Sequence, residues 1–364
     1  MPSFDLKKMS SKFFSSKYKD LEAYTPGEQP RDMKYVKLNT NESPYPPTPA
    51  VLECARAEAG KLNLYSDPTL SSVITAFSSV YGIDESKIIM TNGSDEALNF
   101  AFMAYGDDEH PFAFADITYG FYSVFAKINR LPYEIIPLKD DFSIDYKDYL
   151  SKGKNIVIAN PNAPTGLTLP LWQIEEILKT NPENIVIIDE AYVDFGAESA
   201  MGLVDKYDNL IVVGTFSKSR SLAGARLGFA VANPAIISDL NTIRFSTNPY
   251  NINRMTMAVG VQVLLENAYY MDNCKRIIET REYTKARLSE LGFEYTDSKA
   301  NFLFCKSPDI SGEELYLKLK ARGVLVRHFG TPRIKDYNRI TIGTREQMDI
   351  LLKNISEILE EKSK

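Results

Sequence analysis

The lysine at position 218 is the residue of this sequence best placed for covalent chemistry. It stands in the run GTFSKSRSLAGAR, residues 214–226, after the apolar segment Leu210–Val213, which we predict to be a buried strand. A lysine among small and hydroxylic residues at a strand end can form an imine with a carbonyl compound. Arg226 follows eight residues later and can pair with a phosphate. A surface lysine is the ordinary alternative, and this setting argues against it.

Four more segments lie at the ends of predicted strands, and each of them could serve either a ligand or the fold. The four are TNGSDE at 91–96, DITYG at 116–120, ANPNAPTG at 159–166 and IIDEAY at 187–192. The first opens a helix whose free N–H groups could bind phosphate, although Ser94 or Asp95 could simply cap it. Tyr119 could stack on a flat cofactor or lie in the core. The asparagines of the third could bind a ligand or only shape a rigid turn.

The fourth segment ends a buried strand with Asp189. Burying a carboxylate is costly unless a cation meets it, and a helix-capping aspartate is the alternative. Together the five segments supply a phosphate cradle, a stacking ring, a buried aspartate and an imine-forming lysine at strand ends, where open α/β sheets gather ligands. Pyridoxal phosphate requires this set, because an aspartate beside its ring nitrogen keeps the ring protonated as an electron sink.

These segments need a sheet whose strands end side by side, and the sequence predicts one. Strand-like runs lie at Lys87–Thr91, Pro111–Ala115, Tyr133–Pro137, Asn155–Ala159, Asn184–Asp189, Leu210–Thr215 and Leu227–Ala232. Several are continuously apolar and helical patterns separate most of them, which indicates a mostly parallel sheet wrapped by helices. From Arg254 the pattern changes to that of a smaller α+β domain. We expect a large domain over residues 40–253 and a second unit of residues 1–39 and 254–364, with Tyr24–Pro49 as loop.

Composition excludes several classes of function. The chain has 364 residues and a net charge of −6, so nucleic acid is not an expected partner. With only His110 and His328, multi-histidine metal sites are excluded, and no G-x-S-x-G, G-x-G-x-x-G or Walker A motif occurs. The longest uncharged run, Asn155–Ile174, holds three prolines and cannot be a membrane helix. No secretory signal is visible, and three widely spaced cysteines fit reduced thiols in a cytoplasm.

From about Tyr24 to its carboxyl terminus the chain resembles the histidinol-phosphate aminotransferases. The residues that carry the resemblance are LNTNESP at 38–44, NGSDE at 92–96, DEAY at 189–192, Ser217-Lys218 with Arg226, and RITIGT at 339–344. The resemblance implies a fold-type-I pyridoxal-phosphate enzyme of the α/β class. It also implies a cytoplasmic homodimer with shared active sites, which acts on a small-molecule amino donor and a 2-oxo acid.

The same resemblance implies a role for each matching residue. Lys218 carries the cofactor and moves the proton, Asp189 pairs with the pyridine nitrogen and Tyr192 with the phenolic oxygen. The cofactor phosphate is held by Gly93, Ser94, Asp95, Thr215, Ser217 and Arg226. Tyr119 stacks on the ring, and Tyr65 reaches the cofactor phosphate of the partner subunit. The substrate is bound by Tyr24, Asn41, Arg327 and Arg339.

Two positions depart from the pattern of the family. Many relatives have two asparagines before Pro-Thr-Gly, whereas Ala163 takes the second place here. We therefore expect Asn162 to make the cofactor contact from one residue earlier. The run ESPYP at 42–46 replaces the more usual ENPYG and bears on the substrate entrance.

Three functions are compatible with these residues. The first is transfer of the amino group of L-histidinol phosphate to 2-oxoglutarate in histidine biosynthesis. The second keeps the machinery with another substrate, as in aromatic amino-acid aminotransferases or threonine-phosphate decarboxylases, since Arg327 and Arg339 could clamp a phosphate or a carboxylate. A non-catalytic pyridoxal-phosphate-binding regulator would need a DNA-binding module, and the first 40 residues are too short and loop-like for one.

Overall fold

The computed structural model describes residues 11–19 and 21–362, so residues 1–10, 363 and 364 of the predicted second unit lie outside it, as does residue 20. The helices are α1 (Pro49–Ala59), α2 (Ser71–Tyr81), α3 (Ser94–Tyr105), α4 (Phe121–Ile128), α5 (Leu171–Thr180), α6 (Pro234–Thr247), α7 (Arg254–Leu265), α8 (Asn267–Glu290), α9 (Gly312–Ala321) and α10 (Arg345–Lys362). The strands are β1 (Val36–Lys37), β2 (Ile88–Thr91), β3 (Phe112–Ala115), β4 (Tyr133–Ile136), β5 (Asn155–Ala159), β6 (Val186–Asp189), β7 (Leu210–Thr215), β8 (Gly228–Ala232), β9 (Glu294–Tyr295), β10 (Phe302–Lys306), β11 (Val324–Leu325), β12 (Arg327–His328) and β13 (Asn338–Thr341). Across the described ranges, no helix combines the length and the apolar character needed to span a bilayer.

A seven-stranded sheet in the order β2-β8-β7-β6-β5-β3-β4 forms the centre of the described chain. Its strands run parallel except β8, which is antiparallel to both β7 and β2. The mostly parallel sheet predicted from the sequence is therefore present. Because β8 runs backwards, the chain just before it returns to the edge of the sheet at which β7 ends, and this reversal positions Arg226.

The central strands are apolar throughout because both faces of the sheet are covered. Ile188 and Val212 belong to the core beneath α1, α2, α5 and α7, whereas Ile187 and Val213 belong to the opposite core beneath α3, α4 and α6. Every residue of β5, β6 and β7 is buried. Such strands cannot slip in register without exposing a core face, so the residues at their carboxyl ends are fixed in place.

A second, four-stranded antiparallel sheet in the order β12-β13-β10-β9 packs with α8, α9 and α10 around its own core. A short strand, β1, lies inside the stretch predicted as loop and pairs with β11. The helix α7 follows the predicted boundary at residue 253, yet Val259 and Val263 on it join the core of the large sheet. The division into two domains stays a prediction.

Candidate active site

A cavity of about 240 Å³ opens where β5, β6 and β7 end. It is lined by Thr40, Glu42, Ser94, Asp95, Tyr119, Ala159, Pro161, Ala163, Asp189, Ala191, Tyr192, Thr215, Ser217, Lys218, Ala223 and Arg226. Nine of the residues predicted for the site are among them. The structure thus brings together segments that lie more than a hundred residues apart in the sequence.

Lys218 reaches the cavity from the turn after β7. Its Nζ donates a hydrogen bond of 3.0 Å to the carbonyl oxygen of Thr40 and lies 5.9 Å from the ring centre of Tyr192. Burial lowers the pKa of Lys218 to about 8, and the positive charge of Arg339 acts in the same direction. A lysine with such a pKa holds a larger neutral fraction near neutral pH than an exposed one. The neutral amine is the form that attacks a carbonyl carbon or accepts a proton.

Asp189 is the last residue of β6 and is buried. Its Oδ2 accepts a hydrogen bond of 2.7 Å from the hydroxyl of Tyr122, and its Oδ1 accepts one of 3.2 Å from the backbone N–H of Ala191. Burial raises the pKa of Asp189 to about 6 in spite of these bonds. A cation placed on the cavity side would therefore stabilise this carboxylate.

Tyr122 is a site residue that the sequence reasoning missed. It lies three residues after Tyr119, in α4, and is completely buried. The available signal was that spacing, three residues after a tyrosine that the sequence places just beyond a strand end.

Tyr192 is fixed from its hydroxyl side by Asn41. The Asn41 amide nitrogen donates to the Tyr192 hydroxyl at 2.9 Å, while the backbone N–H of Asn41 donates to Thr341 Oγ1 at 2.9 Å. Thr341 in turn donates to Asn41 Oδ1 at 3.0 Å. Asn41 has a φ of +54°, a left-handed conformation that asparagine tolerates better than most residues. The amino-terminal segment and β13 together orient the tyrosine.

The start of α3 faces a guanidinium and two hydroxyls. Arg226 Nη2 lies 3.2 Å from Asp95 Oδ2, and Arg226 Nη1 donates to Ser217 Oγ at 3.4 Å. Thr215 Oγ1 donates to Ser217 Oγ at 2.9 Å. Gly93, at φ +76°, precedes the helix, and a Cβ there would collide with the Arg226 guanidinium. Free helix N–H groups, two hydroxyls and one arginine form a cradle for an anion.

Two arginines stand side by side beyond the cavity. Arg327 and Arg339 are directly opposite each other on β12 and β13. Arg339 Nη2 donates to Asn39 O at 3.2 Å and its Nε has no partner within residues 11–19 and 21–362. Arg327 donates to the carbonyl oxygens of Thr25 and Pro26, each at 3.3 Å. Two adjacent guanidinium groups that pair with no carboxylate of the described residues favour an anionic ligand.

The remaining predicted residues lie outside the lining of the cavity. The Tyr24 ring packs on Phe121 at 4.3 Å between ring centres and lies 6.4 Å from the ring of Tyr119, so it is adjacent to a residue that lines the cavity. The side chain of Tyr65 is 77% exposed and stacks on Tyr250 at 4.4 Å. It does not line the cavity of its own chain.

Asn162 is engaged inside its own loop. Its amide nitrogen donates to Ile117 O at 2.9 Å and to Thr165 Oγ1 at 3.0 Å, and its Oδ1 accepts from Thr118 Oγ1 at 2.7 Å. Both amide hydrogens are thus used, and Ala163 lines the cavity instead. The cofactor contact predicted for Asn162 would require this loop to rearrange.

Comparison with known proteins identifies the family of the chain. The family model described as aminotransferase class I and II matches residues 33–355. A histidinol-phosphate aminotransferase of Brachyspira hyodysenteriae is 51% identical over 349 residues, which cover 95% of this chain and 99% of that protein. One from Clostridium acetobutylicum is 44% identical and covers 96% and 99% respectively. The chain belongs to the histidinol-phosphate aminotransferase family.

Solved structures agree on the fold-type-I aminotransferase architecture. The histidinol-phosphate aminotransferase from Sinorhizobium meliloti in complex with pyridoxal-5′-phosphate aligns with a TM-score of 0.83 at 22% identity, over 90% of this chain and 92% of that one. The L-threonine-O-3-phosphate decarboxylase from Porphyromonas gingivalis aligns with a TM-score of 0.77 at 20% identity, over 89% and 99%. The predicted fold class is confirmed, and the chain is a pyridoxal-phosphate-dependent aminotransferase.

The residues of this aminotransferase fit pyridoxal phosphate. The absence of a Cβ at Gly93 allows the Arg226 guanidinium to lie against the start of α3, where it supplies the charge for a phosphate. Asp189 is a buried carboxylate without an ion-pair partner in the described chain, as a ring N–H requires. Tyr119 and Lys218 line the space between these two ends.

Proposed function

We propose that this aminotransferase transfers the amino group of L-histidinol phosphate to 2-oxoglutarate, which yields imidazole-acetol phosphate and L-glutamate in histidine biosynthesis. One observation carries the choice of donor. Relatives named histidinol-phosphate aminotransferase are 41–51% identical to the chain over nearly its whole length. The paired arginines add a site suited to the anionic ends of both substrates.

In this proposal the cofactor is held from three sides. Asp189 pairs with the ring nitrogen, Tyr192 donates to the phenolic oxygen, and Tyr119 stacks on the ring. Its phosphate lies in the cradle of Gly93, Ser94, Asp95, Thr215, Ser217 and Arg226. When bound, pyridoxal phosphate supplies the electron sink that allows the Cα–H bond of the donor to break.

Lys218 is proposed as both the attachment point of the cofactor and the base. Its Nζ accepts the proton that leaves the Cα of the amino donor. The lowered pKa of Lys218 supports this role, because burial and the charge of Arg339 leave more of the amine unprotonated near neutral pH. The Thr40 carbonyl oxygen, 3.0 Å from Nζ, accepts a hydrogen bond that orients the free amine.

The substrate is proposed to bind between Tyr24, Asn41, Arg327 and Arg339. Histidinol phosphate has a phosphate and no α-carboxylate, whereas 2-oxoglutarate has two carboxylates, so one site must accept both kinds of anion in turn. Arginine suits this requirement because its planar fork pairs with either group.

A homodimer with shared sites and a cytoplasmic location complete the proposal. The exposure of Tyr65 supports the first, since a tyrosine that is 77% exposed and stacked on Tyr250 is available to a second copy. Exposed apolar side chains, Leu62 and Leu64, flank the same segment. The free thiols of Cys54, Cys274 and Cys305 fit a reducing compartment.

A panel of single-turnover reactions tests the donor. The purified, cofactor-loaded protein is mixed separately with L-histidinol phosphate, L-phenylalanine and O-phospho-L-threonine, and the cofactor absorbance is followed in time. We expect histidinol phosphate to react with the highest ratio of rate to dissociation constant. A faster reaction with phenylalanine would assign the chain to aromatic amino acids. Release of carbon dioxide from phosphothreonine would assign it to decarboxylation.

A further inference from the structure

A buried arginine follows the catalytic lysine in the turn after β7. Arg220 follows Lys218 by two residues, does not line the cavity, and has a side chain that is 3% exposed. Its Nη1 donates to Asp194 Oδ2 at 3.0 Å and its Nη2 donates to the hydroxyl of Tyr81 at 2.7 Å. The guanidinium therefore joins the turn after β7 to two other parts of the fold.

Asp194 has the same sequence spacing from Tyr192 as Arg220 has from Lys218. It lies two residues after Tyr192, in the 3-10 turn Val193–Phe195 that follows β6. The ion pair thus connects two turns, each of which carries a site residue two positions earlier. Apart from the backbone pairing of β6 with β7, it is a direct polar bridge between the lysine turn and the tyrosine turn.

The same region departs from regular backbone geometry. Ser221, the next residue after Arg220, has a φ of +56° although it is not a glycine. On the other turn, Phe195 O accepts a hydrogen bond of 2.8 Å from the buried Arg281. Non-glycine residues in this conformation persist only where their surroundings hold them, and here the surroundings include a buried guanidinium.

The pair joins a buried arginine, whose side chain is 3% exposed, to an aspartate whose side chain is 26% exposed, and such a partly buried ion pair is a poor way to gain stability alone. Removing two charges from water is costly, and apolar residues of similar volume often serve the fold as well or better. The Nε of Arg220 has no partner among the described residues. One N–H group of the arginine is therefore buried without a hydrogen bond, which reduces what the pair can contribute to stability. A guanidinium instead fixes the relative orientation of its partners, because its N–H groups lie in one plane at fixed angles.

We propose that Arg220 and Asp194 are positioning residues for transamination, whose ion pair sets the placement of the Lys218 amine relative to the Tyr192 hydroxyl. Neither residue lines the cavity, so both act through the two turns. The inference rests on the aminotransferase chemistry proposed above and is independent of which amino donor is used.

The main test is a double variant, Arg220→Met/Asp194→Leu, which removes both charges together and leaves neither one unpaired. We expect it to fold and bind pyridoxal phosphate, with a thermal midpoint close to that of the unaltered protein. We also expect a shifted pH midpoint of the visible cofactor absorbance, a signal that needs no substrate. The single-turnover rate should fall about 10- to 100-fold while the dissociation constant of the donor stays within about threefold, as for a misplaced reacting group.

Tyr81→Phe is the matched control. It removes another hydrogen bond of the same guanidinium but leaves the bridge to Asp194, so the pH midpoint and the rate should stay unaltered. Asp194→Asn keeps an oxygen acceptor without the charge and gives the same readouts if the double variant does not fold.

The proposal is overturned if the folded double variant, or Asp194→Asn in its place, keeps both the pH midpoint and the rate of the unaltered protein. It is also overturned if Tyr81→Phe changes them as much, because general packing would then explain the effect. Loss of cofactor affinity from a folded variant would assign the pair to cofactor binding instead. If the substrate panel favours another donor while the absorbance shift is present, only the choice of donor fails.

Discussion

The hydroxyl of Tyr122 donates a hydrogen bond of 2.7 Å to Oδ2 of Asp189, in a place where both side chains are buried. The bond favours the ionised carboxylate and opposes the effect of burial, which raises the pKa of Asp189 to about 6. The pair keeps a negative charge available at the end of β6 for a cationic ring.

Replacing Tyr122 by phenylalanine should weaken cofactor binding. Without the hydroxyl, the ionised form of Asp189 is less favoured over the protonated form. Less of the carboxylate is then available to pair with a ring N–H. A hydrogen bond to a charged group contributes about 1.5–3 kcal/mol, so we expect the dissociation constant of pyridoxal phosphate to rise roughly 10- to 100-fold. Absorbance titration of the cofactor-free protein measures it. Tyr105→Phe is the control, because Tyr105 donates to the exposed Asp239 far from the cavity, and it should leave the constant unaltered.

Asp189→Asn should stabilise the cofactor-free protein and destabilise the loaded one. The folded pKa of about 6 lies above the unfolded value, so the folded state binds more protons between about pH 4 and pH 6. The ionised carboxylate therefore lowers the free energy of unfolding by its full amount above pH 6, and this loss of stability disappears toward pH 4.

At pH 7.5 we expect the substitution to raise the free energy of unfolding of the cofactor-free protein by roughly 1–3 kcal/mol. Urea unfolding at several pH values measures this gain, which should shrink as the pH falls. With cofactor bound the sign should reverse. Asp140→Asn, on the exposed surface, serves as the control, and a gain that does not depend on pH would contradict the explanation.

Arg339→Lys should slow both half-reactions by about tenfold or more, because lysine keeps the charge but loses the bidentate fork. Arg327→Lys should chiefly affect histidinol phosphate, since a phosphate offers more oxygens than one arginine can satisfy. Single-turnover kinetics with histidinol phosphate and with glutamate measure both effects. Arg322→Lys is the control, as Arg322 pairs with Glu357 and Glu361 on the surface. Unaltered kinetics for Arg339→Lys would place the anion clamp elsewhere.

Mixing two inactive or impaired chains tests the shared site. If Tyr65 completes the neighbouring site, Tyr65→Phe chains mixed with Lys218→Ala chains should form some sites that carry neither change. Random exchange makes half of the dimers mixed, so up to about a quarter of all sites should be intact. The activity of the mixture should exceed the mean of the two separate variants. No gain after subunit exchange has been confirmed, for instance by mass spectrometry, would refute the shared site.

The positions of the main site residues followed from the sequence because they lie at strand ends. Asp189 closes an apolar run and Lys218 follows another, and parallel strands bring their carboxyl ends to one edge of the sheet. Ser94 and Tyr119 follow β2 and β3 in the same way. Local patterns were sufficient for these residues, since the sheet supplies the remaining geometry.

Contacts between distant elements could not be obtained in this way. The Lys218 amine meets the carbonyl of Thr40, 178 residues earlier, and nothing in either segment specifies that approach. Tyr122 meets Asp189 because α4 packs on the face of the sheet to which Ile187 of β6 also contributes, and the sequence does not specify that packing. Asn162 was predicted to face the cofactor, but its amide is also able to satisfy backbone and hydroxyl partners in its own loop, and the spacing of residues cannot decide between the two.

The hydrogen bonds between Asn41 and Thr341 have a consequence for the synthesis of the protein. The tyrosine that meets the phenolic oxygen in the proposed site is oriented by Asn41, and Asn41 is held by Thr341, which lies 300 residues further along the chain. A ribosome therefore makes β13 only after all seven strands of the central sheet. The growing chain can form that sheet first, yet it cannot orient this tyrosine fully before β13 emerges. Completion of the cofactor pocket is consequently a later event in synthesis than formation of the sheet that carries most of its residues.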